Sequence, residues 1–164
     1  MAANPRKSQP ILQKDESVRQ AIELLFFAYR DFTARADAIL AKQSFGRAHH
    51  RVVYFVGRRM SITVSELLDI LGITKQSLSR VLGQLVREGY ILQKTGARDR
   101  RQRLLQLTPK GHELERLLTT EQRARITTAY KAVDATSIAG FRDVMLGIMN
   151  DDTRRRFTDA TTKR

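Results

Sequence analysis

The stretch from Ile62 to Leu85 leaves the backbone few choices. Thr63 is followed by Glu66 at the spacing where the two side chains cap each other's backbone N–H groups at a helix start. Val64, Leu67, Leu68 and Leu71 then recur at i, i+3, i+4 and i+7, which is one apolar helix face. Gly72 is placed to end that helix in the left-handed conformation. Thr74 is placed to cap a second helix, whose inward face is Leu78, Val81, Leu82 and Leu85. Two short helices joined by Gly72-Ile73-Thr74 read as a helix-turn-helix.

Beyond this helix pair the chain reads as a hairpin. Gly89 and Tyr90 end the second helix, Ile91 to Thr95 forms a strand, Gly96-Ala97-Arg98-Asp99-Arg100 turns, and Gln102 to Leu107 returns. Thr108-Pro109 then caps and opens another helix, expected to carry Leu114, Leu117 and Leu118 and to run to about Ala132. Upstream, Val18, Ile22, Leu25, Tyr29, Phe32 and Ile39 give a helical stripe from about Glu16 to Ala41, broad enough to need more than one partner surface. Ser44-Phe45-Gly46 breaks it, and a helix over Ala48 to Gly57 points Val52, Val53, Phe55 and Val56 inward. A last helix over Ser137 to Asn150 presents Phe141, Val144, Met145 and Ile148 as its inward face.

The expected organisation is a mainly α fold. A winged helix-turn-helix (45–108) is flanked by N-terminal (15–41) and C-terminal (109–150) dimerisation helices, all within one unit over 15–150. Residues 1–14 read as a flexible tail, and 151–164 as a basic tail or helix extension.

Composition narrows the function classes. The 164-residue chain is long enough for a real core, and its formal net charge of +13 suits a polyanionic partner, most commonly nucleic acid. It has no cysteine, so disulfides, thiol redox chemistry and cysteine-ligated zinc are excluded. No apolar run approaches the roughly 20 residues of a membrane span. No secretory signal core precedes the first helix, so the expected location is cytoplasmic with no membrane partner. No phosphate-cradling glycine loop, nucleophile elbow or catalytic carboxylate pair is found, which argues against an enzyme and implies no cofactor.

Positive charge concentrates where a helix-turn-helix would meet DNA. The outer face of the second helix carries Lys75, Gln76, Ser79 and Arg80, and no acidic residue occurs from Thr74 to Arg87. Arginine pairs bidentately with guanine and glutamine with adenine, while Thr74 and Ser77 at the helix start suit a phosphate. In the hairpin, Arg98, Arg100 and Arg101 have the charge and placement to enter a narrow minor groove. Asp99 is expected to orient a neighbouring arginine through a charge-assisted hydrogen bond.

Ile62-Thr63-Val64-Ser65-Glu66-Leu67-Leu68, Gly72-Ile73-Thr74 and Ser77-Leu78-Ser79-Arg80 resemble the MarR family of bacterial regulators. So does Asp99-Arg100-Arg101-Gln102-Arg103-Leu104-Leu105-Gln106-Leu107-Thr108-Pro109-Lys110-Gly111, with a D-x-R wing and an L-T-x-x-G helix start. The resemblance implies a homodimer whose first and last two helices interlock. It implies recognition helices in successive major grooves of a pseudo-palindromic double-stranded DNA, and wings in flanking minor grooves. It also implies a repressor, released by a small ligand bound between the lobes and the dimer region. The chain departs from many relatives in the second helix, where Phe45-Gly46-Arg47-Ala48-His49-His50-Arg51 replaces the usual Leu-Thr start and glutamine.

For a ligand site, Phe26, Tyr29 and Arg30 with His49, His50 and Arg51 are the candidates, suited to an aromatic or anionic effector. The alternative for these residues is ordinary core and solvated surface. His49, His50 and His112 are weak metal candidates, since adjacent helical side chains point about 100° apart. The rival to the DNA-binding regulator is a winged-helix module that binds RNA or protein and has no small-molecule effector.

Overall fold

The computed structural model describes residues 15–96 and 99–162, with backbone alone at 160–162. The expected tail at 1–14, Arg98 at the wing tip and residues 163–164 lie outside the described residues. Helix α1 (Asp15–Ala41) leads into α2 (Arg47–Arg58), strand β1 (Ile62–Thr63), α3 (Val64–Leu71) and α4 (Lys75–Arg87). Strands β2 (Ile91–Thr95) and β3 (Arg103–Leu107) come next, then α5 (Pro109–Lys131), α6 (Ala135–Ile148) and α7 (Asp151–Thr162). The antiparallel sheet has the order β1-β3-β2, with Ile91 opposite Leu107 and Thr95 opposite Arg103 in the hairpin. The fold is therefore a mainly helical winged helix-turn-helix with helical arms.

The caps form as their spacing dictates. Thr63 Oγ1 accepts from the Glu66 N–H, and the Glu66 carboxylate accepts in return from the Thr63 N–H at 2.8 Å. Those bonds hold the Glu66 carboxyl below the usual carboxylate range. Gly72 sits at φ 60°, ψ 32°, and its N–H closes onto the Leu68 carbonyl. Thr74 caps α4 by accepting from the Ser77 N–H.

One core joins α2, α3, α4 and the sheet, with Val52, Val53, Leu67, Leu78, Leu85, Ile91 and Leu105 essentially inaccessible. From α1 only Thr33, Ala36 and Leu40 are buried, and from α5 Gly111, Leu114 and Leu118. No helix among the described residues is long and apolar enough to cross a membrane.

The arms depart from expectation. Leu117 is exposed, and so are Phe141, Val144 and Ile148, for which the period predicts an inward face; α6 buries no residue at all. The apolar period is real, but the described residues leave that face exposed. Helix α6 also starts earlier than expected, because the Asp134 carboxylate caps it by accepting from the Ser137 N–H at 2.7 Å. The basic C-terminal stretch is a separate helix, α7, whose break from α6 is made at Asn150, which accepts from the Thr153 N–H at 2.8 Å. Strand β1 is additional to the expected elements, since two residues are too short to show a period.

Gly111 is a glycine that close approach requires. A Cβ there would run into the Tyr90 carbonyl oxygen and crowd Leu107. In Gly83 the same addition meets only the end of Arg87 at 3.5 Å. Gly111→Ala is therefore expected to destabilise by about 1–3 kcal/mol through forced backbone displacement. Gly83→Ala should instead be neutral or stabilising by up to about 1 kcal/mol, as expected for a glycine inside a helix. Urea unfolding of both variants checks this; equal losses would show that the Tyr90 approach is not the constraint.

Candidate nucleic-acid interface

Helix α4 presents its polar face outward as a result of its leucine face. With Leu78, Leu82 and Leu85 buried, Lys75, Gln76, Ser79 and Arg80 are exposed and together frame a shallow depression. Thr74 and Ser77 are exposed beside them, but their hydroxyls are engaged with each other: Thr74 Oγ1 donates to Ser77 Oγ at 2.9 Å. The Ser77 N–H is used by the cap. The Lys75 and Gln76 N–H groups, at the first positions of the helix, have no intrahelical partner and point outward along the positive end of the dipole.

A second groove runs between α4 and β2, lined by Lys75, Ser79, Gly83, Arg87 and Gln93 among others. Arg87 and Gln93 are not among the contacts predicted from sequence. The signal for Arg87 was present, since 75, 79, 83 and 87 fall four residues apart along one side of the helix.

The wing is a tight hairpin. The Gly96 N–H donates to the Gln102 carbonyl at 3.0 Å, and the Gln102 N–H to the Asp99 carbonyl at 3.1 Å. Asp99 Oδ1 accepts from the Arg101 backbone N–H at 2.9 Å, a charge-assisted bond that sets the turn next to Arg101. A short side chain readily bonds the backbone two residues on. Arg100 and Arg101 are exposed, and Arg103 is tied across the hairpin to Thr95 Oγ1 at 2.6 Å. Among the described residues, Lys75, Arg80, Arg87, Arg100 and Arg101 make no ion pair.

Behind the reading face, α1, α2 and α5 enclose a cleft of about 490 Å³. Of the predicted ligand residues it brings together Tyr29, His50 and Arg51, with Phe32, Arg47 and Arg123 also at the wall. Arg51 donates to the Tyr29 hydroxyl at 3.1 Å, and Arg47 is held by Asp37 at 2.8 Å. Burial pushes His50 below the ordinary imidazole value, opposed by Asp37 and Glu115 and reinforced by Arg51.

Phe26, Arg30 and His49 do not line the cleft. Phe26 is exposed and packs edge-on against Phe27, and Arg30 lies over the Phe27 ring and pairs with Asp31. His49 stacks on Phe45 at 4.6 Å. Its Nδ1 accepts from the Gly46 N–H at 3.1 Å, so Nε2 carries the proton and donates to Gln84 Oε1 at 2.9 Å. His49 thus ties α2 to α4. No group of three His, Cys, Asp or Glu able to hold a metal occurs among the described residues.

Residues 44–102 match the MarR family. The HTH-type transcriptional regulator PetP of Rhodobacter capsulatus is 47% identical over 143 residues, covering 87% of this chain and 86% of the relative. Streptococcus pneumoniae FabT, solved in complex with DNA, has a TM-score of 0.70 at 19% identity, covering 88% of this chain and 99% of that one. A Listeria monocytogenes MarR family transcriptional regulator complexed with 26mer DNA has a TM-score of 0.65 at 20% identity, covering 77% and 85%. Those two structures share the fold, and the Rhodobacter relative shares nearly half of the residues over most of both chains. The chain belongs to the MarR family of transcription regulators.

Proposed function

We propose that the protein is a homodimer that binds a pseudo-palindromic site in double-stranded DNA, with α4 in the major groove and the β2–β3 wing in the flanking minor groove. The observation that carries this reading is the acid-free outer face of α4, where Lys75, Gln76, Ser79 and Arg80 stand exposed with no ion pair among the described residues. In this assignment Arg80 and Gln76 read base edges, while Thr74, Lys75, Ser77 and Ser79 hold the backbone. Arg98, Arg100 and Arg101 track the minor groove, with Asp99 shaping the turn that presents Arg101.

Dimerisation is supported by apolar side chains that the described chain leaves uncovered. On α1, Ile22 is 65%, Leu24 70% and Phe26 62% exposed, and on α6 Val144 is 64% exposed. Apolar groups left open along two arms suit a partner subunit. A dimer lying across two grooves excludes other proteins from that stretch, so we assign it a repressing role. The α1–α2–α5 cleft suits a small aromatic anion, whose binding would release DNA only by favouring a lobe spacing that no longer fits successive grooves.

Sedimentation at low micromolar concentration should give twice the 18.8 kDa chain mass, and a folded monomer would sink the dimer. In gel-shift competition, duplex DNA should displace the bound probe and RNA should not. Arg80→Ala should cost about 1–3 kcal/mol per half-site and relax preference at one base position. Arg100→Ala and Arg101→Ala should instead weaken binding to all sequences and flatten the salt dependence. Sequence-blind losses from all three would reverse the assigned roles. For the cleft, a bound carboxylate raises the depressed His50 pKa. Affinity for an aromatic acid should then grow as pH falls towards and below the ordinary imidazole value, and His50→Gln should abolish that slope. A slope unchanged in the variant counts against the site.

A further inference from the structure

We propose that Arg156 of α7 is a positioning residue for the reading head: it clasps the C-terminal end of α3 and so steadies the turn that aims α4. This rests on the DNA-binding reading above.

Helix α3 lacks a basic residue in its own last turn. Its final carbonyls have no partners within the helix, and the Gly72 N–H reaches only the Leu68 carbonyl. The chain supplies the missing cation from far along the sequence. Arg156 donates from one terminal nitrogen to the Asp69 carbonyl at 3.0 Å, with the same nitrogen 3.7 Å from Asp69 Oδ1. Its Nε is held at 2.9 Å by Asp152, one turn earlier on α7. The guanidinium is therefore oriented by its own helix and delivered to the negative end of another. Asp69 lies just before the Gly72-Ile73-Thr74 turn, whose last residue caps α4.

The rest of this contact is open. A cleft of about 650 Å³ separates α7 from α2 and α3, with Phe55, Leu68, Leu71 and Phe157 on its walls. Across it, Arg156 makes the hydrogen bond and ion pair that reach α3. The Arg156 and Asp69 side chains are 47% and 69% exposed, so the pair adds little to global stability. Its effect is on orientation: it narrows the range of angles that α3, and through the turn α4, can take.

The full-length protein, Arg156→Ala, Arg156→Lys, Arg155→Ala and Asp69→Asn are compared by two readouts. The first is hydrogen exchange of the amides from Gly72 to Ser77 without DNA. The second is the ratio of affinities for a duplex selected from genomic fragments and for a random duplex. Arg156→Ala should speed exchange in the turn by about three- to tenfold and lower the affinity ratio by a similar factor, with the thermal midpoint nearly unchanged. Arg156→Lys, which keeps the charge but loses the fork, should fall between. Asp69→Asn keeps the carbonyl and should stay near wild type. Arg155→Ala removes the same charge beside the clasp and should lower both affinities together, leaving their ratio and the exchange alone. Wild-type exchange and discrimination in Arg156→Ala, or equal effects from Arg155→Ala, would overturn the clasp. A wild-type protein that binds no duplex would overturn the DNA reading and the positioning role together, whereas duplex binding that Arg156→Ala leaves intact would overturn the role alone.

Discussion

The Tyr90 backbone is where the fold is tied. Its N–H closes the end of α4 onto the Leu85 carbonyl. Its carbonyl accepts from the Thr108 N–H at 3.0 Å, and the Thr108 hydroxyl donates to the neighbouring Gly89 carbonyl at 2.7 Å while capping α5 through the Gly111 N–H. Gly111 must lack a side chain for α5 to come this close. The Tyr90 hydroxyl donates to Gln43 in the α1–α2 connection, its ring packs edge-on against Phe45, and Lys110 lies over the ring at 4.1 Å. One residue thus fixes the exit of α4, the root of the wing and the start of the long arm. The L-T-x-x-G motif is the sequence trace of that junction: a hydroxyl that caps and a glycine that permits close approach.

Charge is distributed unevenly. On the arms and α2 several cations are answered by nearby carboxylates: Arg19 by Asp15, Arg35 by Glu121, Arg47 by Asp37 and Arg116 by Glu113. On the reading head the described cations of α4 and the wing have no such answer. Unpaired arginines held on a rigid helix and a tight hairpin keep their charge available to an external polyanion, at the cost of mutual repulsion within the free protein. In the proposed DNA complex, cations so placed would make association salt-dependent, because neutralising phosphates releases the counterions condensed on the DNA.

What could be read from the chain divides along physical lines. Caps, turns and leucine faces are set by residues a few positions apart, so the Thr63–Glu66 box, Gly72, the Thr74 cap and the Thr108-Pro109 start were all legible. Periodicity also shows that an apolar face exists, but not what lies against it, and so the inward face assigned to α6 is open in the single chain. The C-terminal helix was hidden for a related reason. Asn150-Asp151-Asp152 is a capped acidic helix start, but its arginine-rich continuation has no apolar stripe to advertise it. The histidines show the limit at side-chain scale. Sequence places His49 and His50 in one cluster, and a turn of about 100° per residue sends them to different sides of α2.

That split has a mechanical consequence. His49 is bonded to Gln84 on α4, and Gln84 in turn donates to Glu88 at the helix end. His50 and Arg51, the next residues along, face the cleft shared with α1 and α5. Helix α2 therefore has one side on α4 and another on the cavity. It is a short element packed by Val52, Val53 and Val56, so a displacement of it would be carried as a body rather than absorbed within the helix. A displacement that opened the cleft by a fraction of an ångström would be felt at Gln84 without any intervening chain of residues. Coupling by this route needs no long pathway, only two faces of one helix and a cavity whose occupant prefers one position of that helix over another.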